Sequence, residues 1–174
     1  MMMQILKAGG MDVLTDAQRE ADADNPKGYY EFEQVKKLKE GDLSWAPQAR
    51  GKVVKIISAL LEYLPAEFEY KIIFMQRDMQ EILASQKQML IRRGEPTDRV
   101  DDETLGKLFE AHLTKVHHWL ASQKNVDVLF VPYASLLGES ETQIHKLNRF
   151  LGLPLNTQAM LKIPDPELHR QRNG

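Results

Sequence analysis

Tyr70-Lys71-Ile72-Ile73-Phe74-Met75-Gln76-Arg77-Asp78-Met79-Gln80-Glu81-Ile82-Leu83 is the stretch whose reading decides the fold. From Tyr70 to Met75 the chain is almost continuously apolar and rich in Ile, as in a parallel strand covered on both faces. Asp78-Met79-Gln80-Glu81 then has the form of a capping box. Asp78 is placed to accept from first-turn amides and Glu81 to reach back. Ile82, Leu83, Met89 and Leu90 continue a helix that should end near Gly94-Glu95-Pro96. A strand that runs directly into a helix is half of a β-α-β unit.

Downstream the pattern repeats. Residues 94–103 are polar and acidic and predict a mobile surface loop. From Thr104, the residues Leu105, Leu108, Phe109, Leu113, Val116 and Leu120 recur at helical spacing. Asp127-Val128-Leu129-Phe130-Val131 reads as a strand and Pro132-Tyr133 as a turn. A last helix runs from Glu139 to Leu151, with Gly152 past its end. The tail from Ile163 to Arg172 is polar, with Leu168 as its packing residue.

Upstream, Gly51-Lys52-Val53-Val54-Lys55-Ile56-Ile57 is β-branched, begins at a glycine and predicts a further strand. Leu60, Leu61 and Leu64 form a short helical stretch closed by Pro65. Asn25-Pro26-Lys27-Gly28 is a turn signal, and Tyr29-Tyr30-Glu31-Phe32-Glu33 a loop with aromatic anchors. A short helical turn is expected over Asp16 to Glu20. Met1 to Gly10 reads as part of a buried helix with a Gly-Gly stop and no N-cap residue before it. Strands that alternate with helices predict an α/β layer fold with a parallel sheet. Ligands of such sheets collect at the carboxyl ends of the strands, which points to the segments after Met75 and Val131 and to the loop around Glu31.

Composition narrows the function. The 174 residues fit one domain at roughly 150 residues each. They are 43% hydrophobic and 28% charged, enough to bury a core and stay in water. The 23 Lys and Arg against 25 Asp and Glu give −2, so there is no overall electrostatic footprint for nucleic acid. Cysteine is absent, which excludes disulfides, thiolate zinc and a Cys nucleophile, and fits a reducing, cytoplasmic setting. No apolar run approaches the roughly 20 residues of a membrane span. The five histidines lack the spacing of a metal site: His112 lies near an apolar helix face, His117 and His118 point apart, and His145 and His169 are isolated. Lys36, Lys37 and Lys39 read as a solvated cluster.

The chemistry-bearing pattern lies in the deciding stretch. Arg77 sits at the strand end and Ser85 about two turns into the helix. A guanidinium fork and a hydroxyl together suit a phosphate dianion. A salt-bridged Arg, paired with Asp78 for instance, and a small packing Ser are the alternative.

Phe74 to Gln86, with Arg77 and Ser85, resembles the 3′-phosphate-binding signature of sulfotransferases that use 3′-phosphoadenosine 5′-phosphosulfate (PAPS). Other segments agree in order. Met1 to Gly10 resembles the helix behind that family's phosphate-binding loop. Asn25 to Glu31 resembles a loop of bacterial members. Val128 to Tyr133, Leu136-Leu137 and Phe150-Leu151-Gly152-Leu153 resemble the strand and helix that close the domain. The resemblance implies a three-layer α/β/α fold with a parallel sheet, like that of P-loop nucleoside triphosphatases. It implies one sulfotransferase-like domain over residues 1–174, with PAPS as co-substrate and no metal.

The sulfuryl group would pass to a hydroxyl or amine of an acceptor that the sequence does not specify. Arg77 and Ser85 would bind the nucleotide. Glu31 is the first candidate for the base, with Glu33 or a histidine as alternatives. Arg170 and Arg172 would close over the nucleotide or remain a solvated tail. No G-x-x-x-x-G-K-[ST] pattern occurs. The expectation is therefore a sulfotransferase domain truncated at its N-terminus, lacking the first strand and phosphate loop, with the activity of this chain alone left open by the sequence. A degenerate, non-catalytic nucleotide-binding fragment is the competing reading. A different P-loop-like phosphotransferase is weakened by the missing Walker lysine.

Overall fold

The computed structural model describes residues 1–16, 18, 28–92, 94–97 and 100–165. The turn residues Asn25 to Lys27, most of the expected turn over Asp16 to Glu20, and Asp98 lie outside the described residues. So does the tail with Leu168, His169, Arg170 and Arg172.

The helices and strands follow in the order α1 (Met2–Ala8), β1 (Tyr70–Gln76), α2 (Met79–Arg92), α3 (Asp102–Ser122), β2 (Val126–Pro132), α4 (Tyr133–Gly138), α5 (Ser140–Leu151) and α6 (Thr157–Leu161). Three 3-10 helices, Glu33–Glu40, Ala46–Ala49 and Ser58–Tyr63, punctuate the long connection between α1 and β1. β1 and β2 form a parallel pair in the register Tyr70 with Val126 through Gln76 with Pro132. The fold is α/β, with the β-α-α-β crossover that parallel strands need.

Period-two alternation sends each strand into two different cores. Ile73, Met75, Leu129 and Val131 face Ile5 of α1, Leu136 of α4, Ile144 and Leu147 of α5 and Met160 of α6. Ile72, Phe74, Val126 and Val128 face Val116 and Leu120 of α3 and Leu61 of the third 3-10 helix. Helices thus cover both faces of the pair. A third cluster, Val35, Leu38, Trp45 and Leu60, holds the connection between α1 and β1 together.

The segment from Gly51 to Ile57 is not a strand, which corrects the sequence expectation. Only Val53 pairs, in a single parallel bridge with Val13. Beyond it Val54 and Ile56 pack extended against the third cluster. β-propensity reports the fit of a branched side chain to a half-buried surface, and here that surface is supplied without a ladder. The sheet among the described residues therefore has two strands, not three.

The capping box is also half-formed. Asp78 Oδ1 accepts from the Gln80 amide at 2.9 Å and the Glu81 amide at 3.4 Å. Glu81 does not reach back but turns toward Arg77. The acidic run before α3 is cap as well as loop: Asp101 accepts from the Thr104 amide at 2.8 Å and its hydroxyl at 2.7 Å. Those two bonds hold the Asp101 carboxyl below its usual range.

α3 has 21 residues, or about 31 Å, against about 23 Å for a seven-residue strand. It therefore overhangs the sheet. Leu83 of α2 lies against Gly106 in the N-terminal part of α3, so α2 packs on the overhang.

Candidate functional site

The parallel register builds the site. Gln76 pairs with Pro132, so the residues that follow each strand, Arg77 and Tyr133, emerge side by side at the carboxyl edge. The Arg77 guanidinium carbon stands 5.2 Å from the centre of the Tyr133 ring, within the range of a cation–π contact. Asp78 then starts α2, and positions 81 and 85 fall at intervals of four from Arg77. Residues so spaced share one helix face.

Arg77 Nε donates to Glu81 Oε2 at 2.9 Å. The two side chains are 29% and 10% exposed, so the pair is largely shielded from water. Glu81 is the buried residue of α2, since no apolar side chain of that helix reaches the same depth. Among the described residues Glu81 is the hydrogen-bond partner of Arg77, and it engages Nε alone. Neither Nη group hydrogen-bonds to it. Ser85 is half-buried one turn beyond Glu81, about 6 Å along the axis, and its hydroxyl has no partner among the described residues. Burial pushes the Tyr133 phenol above its usual range. The Arg77 charge opposes that shift, and the nearby Glu81 and Asp165 add to it.

The sequence model of the sulfotransferase family matches residues 11–157, well over half of the chain. The chain belongs to the sulfotransferase family. No curated protein and no solved structure shows a match to it. Membership makes the chain a transferase with a sulfate donor and an acceptor, on a P-loop-like α/β fold. The match spans Arg77, Ser85, Glu31 and both strands.

Glu31 lies in a second polar cluster of this sulfotransferase chain. Its carboxylate is 3.4 Å from Lys55 Nζ, with side-chain exposures of 23% and 37%. Lys55 also donates to the Tyr29 carbonyl at 3.0 Å and lies 5.7 Å from the Tyr29 ring. The Glu31 carbonyl accepts from the Thr15 hydroxyl at 2.8 Å. Next door, Asp16 accepts from the Glu33 amide at 2.6 Å, which with the Gln18 amide holds its carboxyl below the usual range. Glu33 itself pairs with Lys36 at 2.6 Å. Tyr30 adopts φ 54°, an uncommon value for a residue with a Cβ. Among the described residues no hydrogen bond, ion pair or ring contact joins the Glu31 cluster to the Arg77 cluster.

The described histidines are dispersed. His112 Nε2 is 2.8 Å from the Ser58 hydroxyl. His117 packs edge-on against Phe74 and Phe130, and His118 is exposed. His145 lies 3.9 Å from Glu141 at the surface. Among the described residues no group of three or more His, Asp or Glu side chains is arranged to hold a metal ion, and no helix is long and apolar enough to cross a membrane.

Sequence reasoning missed Glu81 and Tyr133 as members of the site. Glu81 was legible in principle, because a carboxylate four residues after an Arg on a helix can meet it. Tyr133 required the register. Once Gln76 is aligned with Pro132, the residue after each strand is the other's neighbour.

Proposed function

We propose that this chain is a PAPS-dependent sulfotransferase in which Arg77 and Ser85 bind the 3′-phosphate of the donor. The observation that carries the reading is the state of Arg77. Its guanidinium donates to Glu81 through Nε, at the strand edge where α/β ligands collect, and among the described residues neither Nη group has a hydrogen-bond partner, which leaves both for an anion. The Ser85 hydroxyl supplies another donor from the same helix face.

In the reaction the acceptor oxygen or nitrogen attacks sulfur. The bond from sulfur to the bridging phosphate oxygen breaks, and 3′,5′-adenosine bisphosphate leaves with that bond's electrons. The acceptor proton passes to a base, for which Glu31 is the first candidate. General-base catalysis contributes about 10²–10⁴ in rate. The acceptor is a hydroxyl or an amine, and the cysteine-free composition fits action in the cytoplasm.

One observation favours a second reading, nucleotide binding without transfer. The Glu31 carboxylate is paired with Lys55, and no described contact brings it to Arg77. Glu31→Gln, assayed for transfer from PAPS, separates the two: turnover should fall by about 10²–10⁴ with nucleotide affinity unchanged. Binding by a chain that shows no turnover at all would support the second reading.

The donor site is tested by calorimetric titration with 3′,5′-adenosine bisphosphate and with adenosine 5′-phosphate. Wild type should prefer the bisphosphate. A charge-assisted hydrogen bond contributes about 1.5–3 kcal/mol, so Arg77→Ala should weaken bisphosphate binding about ten-fold or more. Ser85→Ala should cost less. Equal affinity of wild type for the two nucleotides contradicts the assignment.

A further inference from the structure

We propose that Glu81 and Tyr133 are positioning residues that fix the Arg77 guanidinium for planar, two-pronged recognition of a phosphomonoester. This rests on the reading of Arg77 as the 3′-phosphate ligand.

The geometry leads there directly. A guanidinium carries five N–H donors in one plane. Glu81 Oε2 takes the Nε donor at 2.9 Å, and Tyr133 lies 5.2 Å away, ring centre to guanidinium carbon. One contact fixes an edge of the plane, and the other restrains the guanidinium against a ring. Together they restrict rotation about the long Arg side chain, leaving the Nη groups to present parallel donors. Two parallel N–H···O bonds are the arrangement that makes Arg, and not Lys, suited to bidentate phosphate recognition.

Burial argues that this role is costly to maintain. Glu81 is 8% exposed, on a helix whose apolar side chains are less buried than it is. A carboxylate is expensive to remove from water unless it is paired. Its charge also opposes an incoming phosphate, so a Glu here is a poor choice if bulk attraction were the aim. Orientation is the property it supplies.

The charge and the geometry make opposite predictions, which gives the test. The readout is the preference of the intact chain for 3′,5′-adenosine bisphosphate over adenosine 5′-phosphate, by calorimetry, with circular dichroism to verify folding of each variant. Glu81→Ala removes both the charge and the Nε acceptor, and should lower the preference at least three-fold. Glu81→Gln removes the charge but keeps an amide oxygen for Nε, and should retain the wild-type preference or exceed it. Tyr133→Leu should reduce the preference and Tyr133→Phe should keep it. Arg77→Lys should lose as much as Arg77→Ala, because an ammonium cannot reproduce the fork.

A wild-type preference in Glu81→Ala overturns the positioning role, and so does a loss in Glu81→Gln equal to that in Glu81→Ala. The donor-site reading survives both of those results if Arg77→Ala still loses the preference. Absence of any preference in wild type overturns both.

Discussion

The two sides of the molecule are held by different physics. Around α5, Ile144 and Leu147 are fully buried and pack with Ile5, Leu136, Met160 and Val131, each at 0–1% exposure. Around α2 the one buried side chain is charged. Ile91, Val100 and Leu108 are more than 40% exposed there, and a cleft of about 170 Å³ is lined by Leu83 and Leu90 of α2 and Leu105 of α3. The scaffold side is stabilised by hydrophobic burial, at about 1.5–3 kcal/mol per large apolar side chain. On the α2 side the apolar side chains are at most half-buried; the Asp78 cap and the Arg77–Glu81 bond order the start of the helix locally, and the Arg77–Tyr133 contact ties that end to the residue after β2. The candidate donor site therefore stands on the less anchored element, where ligand contacts can contribute most to order.

The largest expected effect breaks the scaffold. Leu147→Ala removes a fully buried side chain and should destabilise by about 2–5 kcal/mol. Leu83→Ala in α2 should cost about 1 kcal/mol or less, since the side chain is only half-buried. Urea unfolding of both variants checks the contrast, and equal costs would remove it.

A middle-sized effect tests the polar side. Arg77→Ala takes from Glu81 a hydrogen bond to a charged partner and should lower stability by about 1–3 kcal/mol. The double variant with Glu81→Ala should recover part of that loss. An additive double variant would mean that the two side chains are not coupled.

Smaller still is the Lys55–Glu31 pair. Lys55→Ala should cost less than about 1 kcal/mol, as partly exposed ion pairs do. A larger loss would add the Glu31 loop to the anchored side.

The smallest effect appears at alkaline pH. Tyr70, at the start of β1, donates to the Pro65 carbonyl at 2.8 Å. Burial, reinforced by Glu67, pushes its phenol from 10.0 up to about 12. A pKa raised on folding means that the unfolded chain loses the proton first. The contribution of Tyr70 is thus complete below pH 10.0 and is lost as pH climbs toward about 12. Tyr70→Phe should flatten the stability profile in that window; near pH 7 it should lower the level slightly, through the lost bond to the Pro65 carbonyl, without changing the slope.

Much of this was legible in the sequence. The apolar runs at Ile72 to Met75 and Val128 to Val131 are strands with helices on both faces, the condition that continuous apolarity reports, although Phe130 in the second run stays 41% exposed. α5 and its left-handed Gly152 cap, φ 67°, followed from periodicity and a glycine. Gly51 to Ile57 was misread because Val and Ile favour any extended, half-buried path, and only a neighbouring strand makes that path a ladder. Arg77 and Ser85 were legible as a spaced pair. Tyr133 was not, because its place depends on a register between segments 56 residues apart in sequence. Glu81 was read as a cap because a capping box and an i,i+4 ion pair use the same residue, and only the position of the Arg77 side chain decides between them.

The central claim is that a loosely anchored helix carries a 3′-phosphate site and is ordered by its ligand. Hydrogen–deuterium exchange of the intact chain, read peptide by peptide, tests it most directly. Without ligand, amides of α2 should exchange well before those of α5. Saturating 3′,5′-adenosine bisphosphate should slow exchange across residues 79–86, while adenosine 5′-phosphate should leave that segment nearly unchanged. If α2 is protected as strongly as α5 in the free chain, or if both nucleotides protect it equally, the account is contradicted.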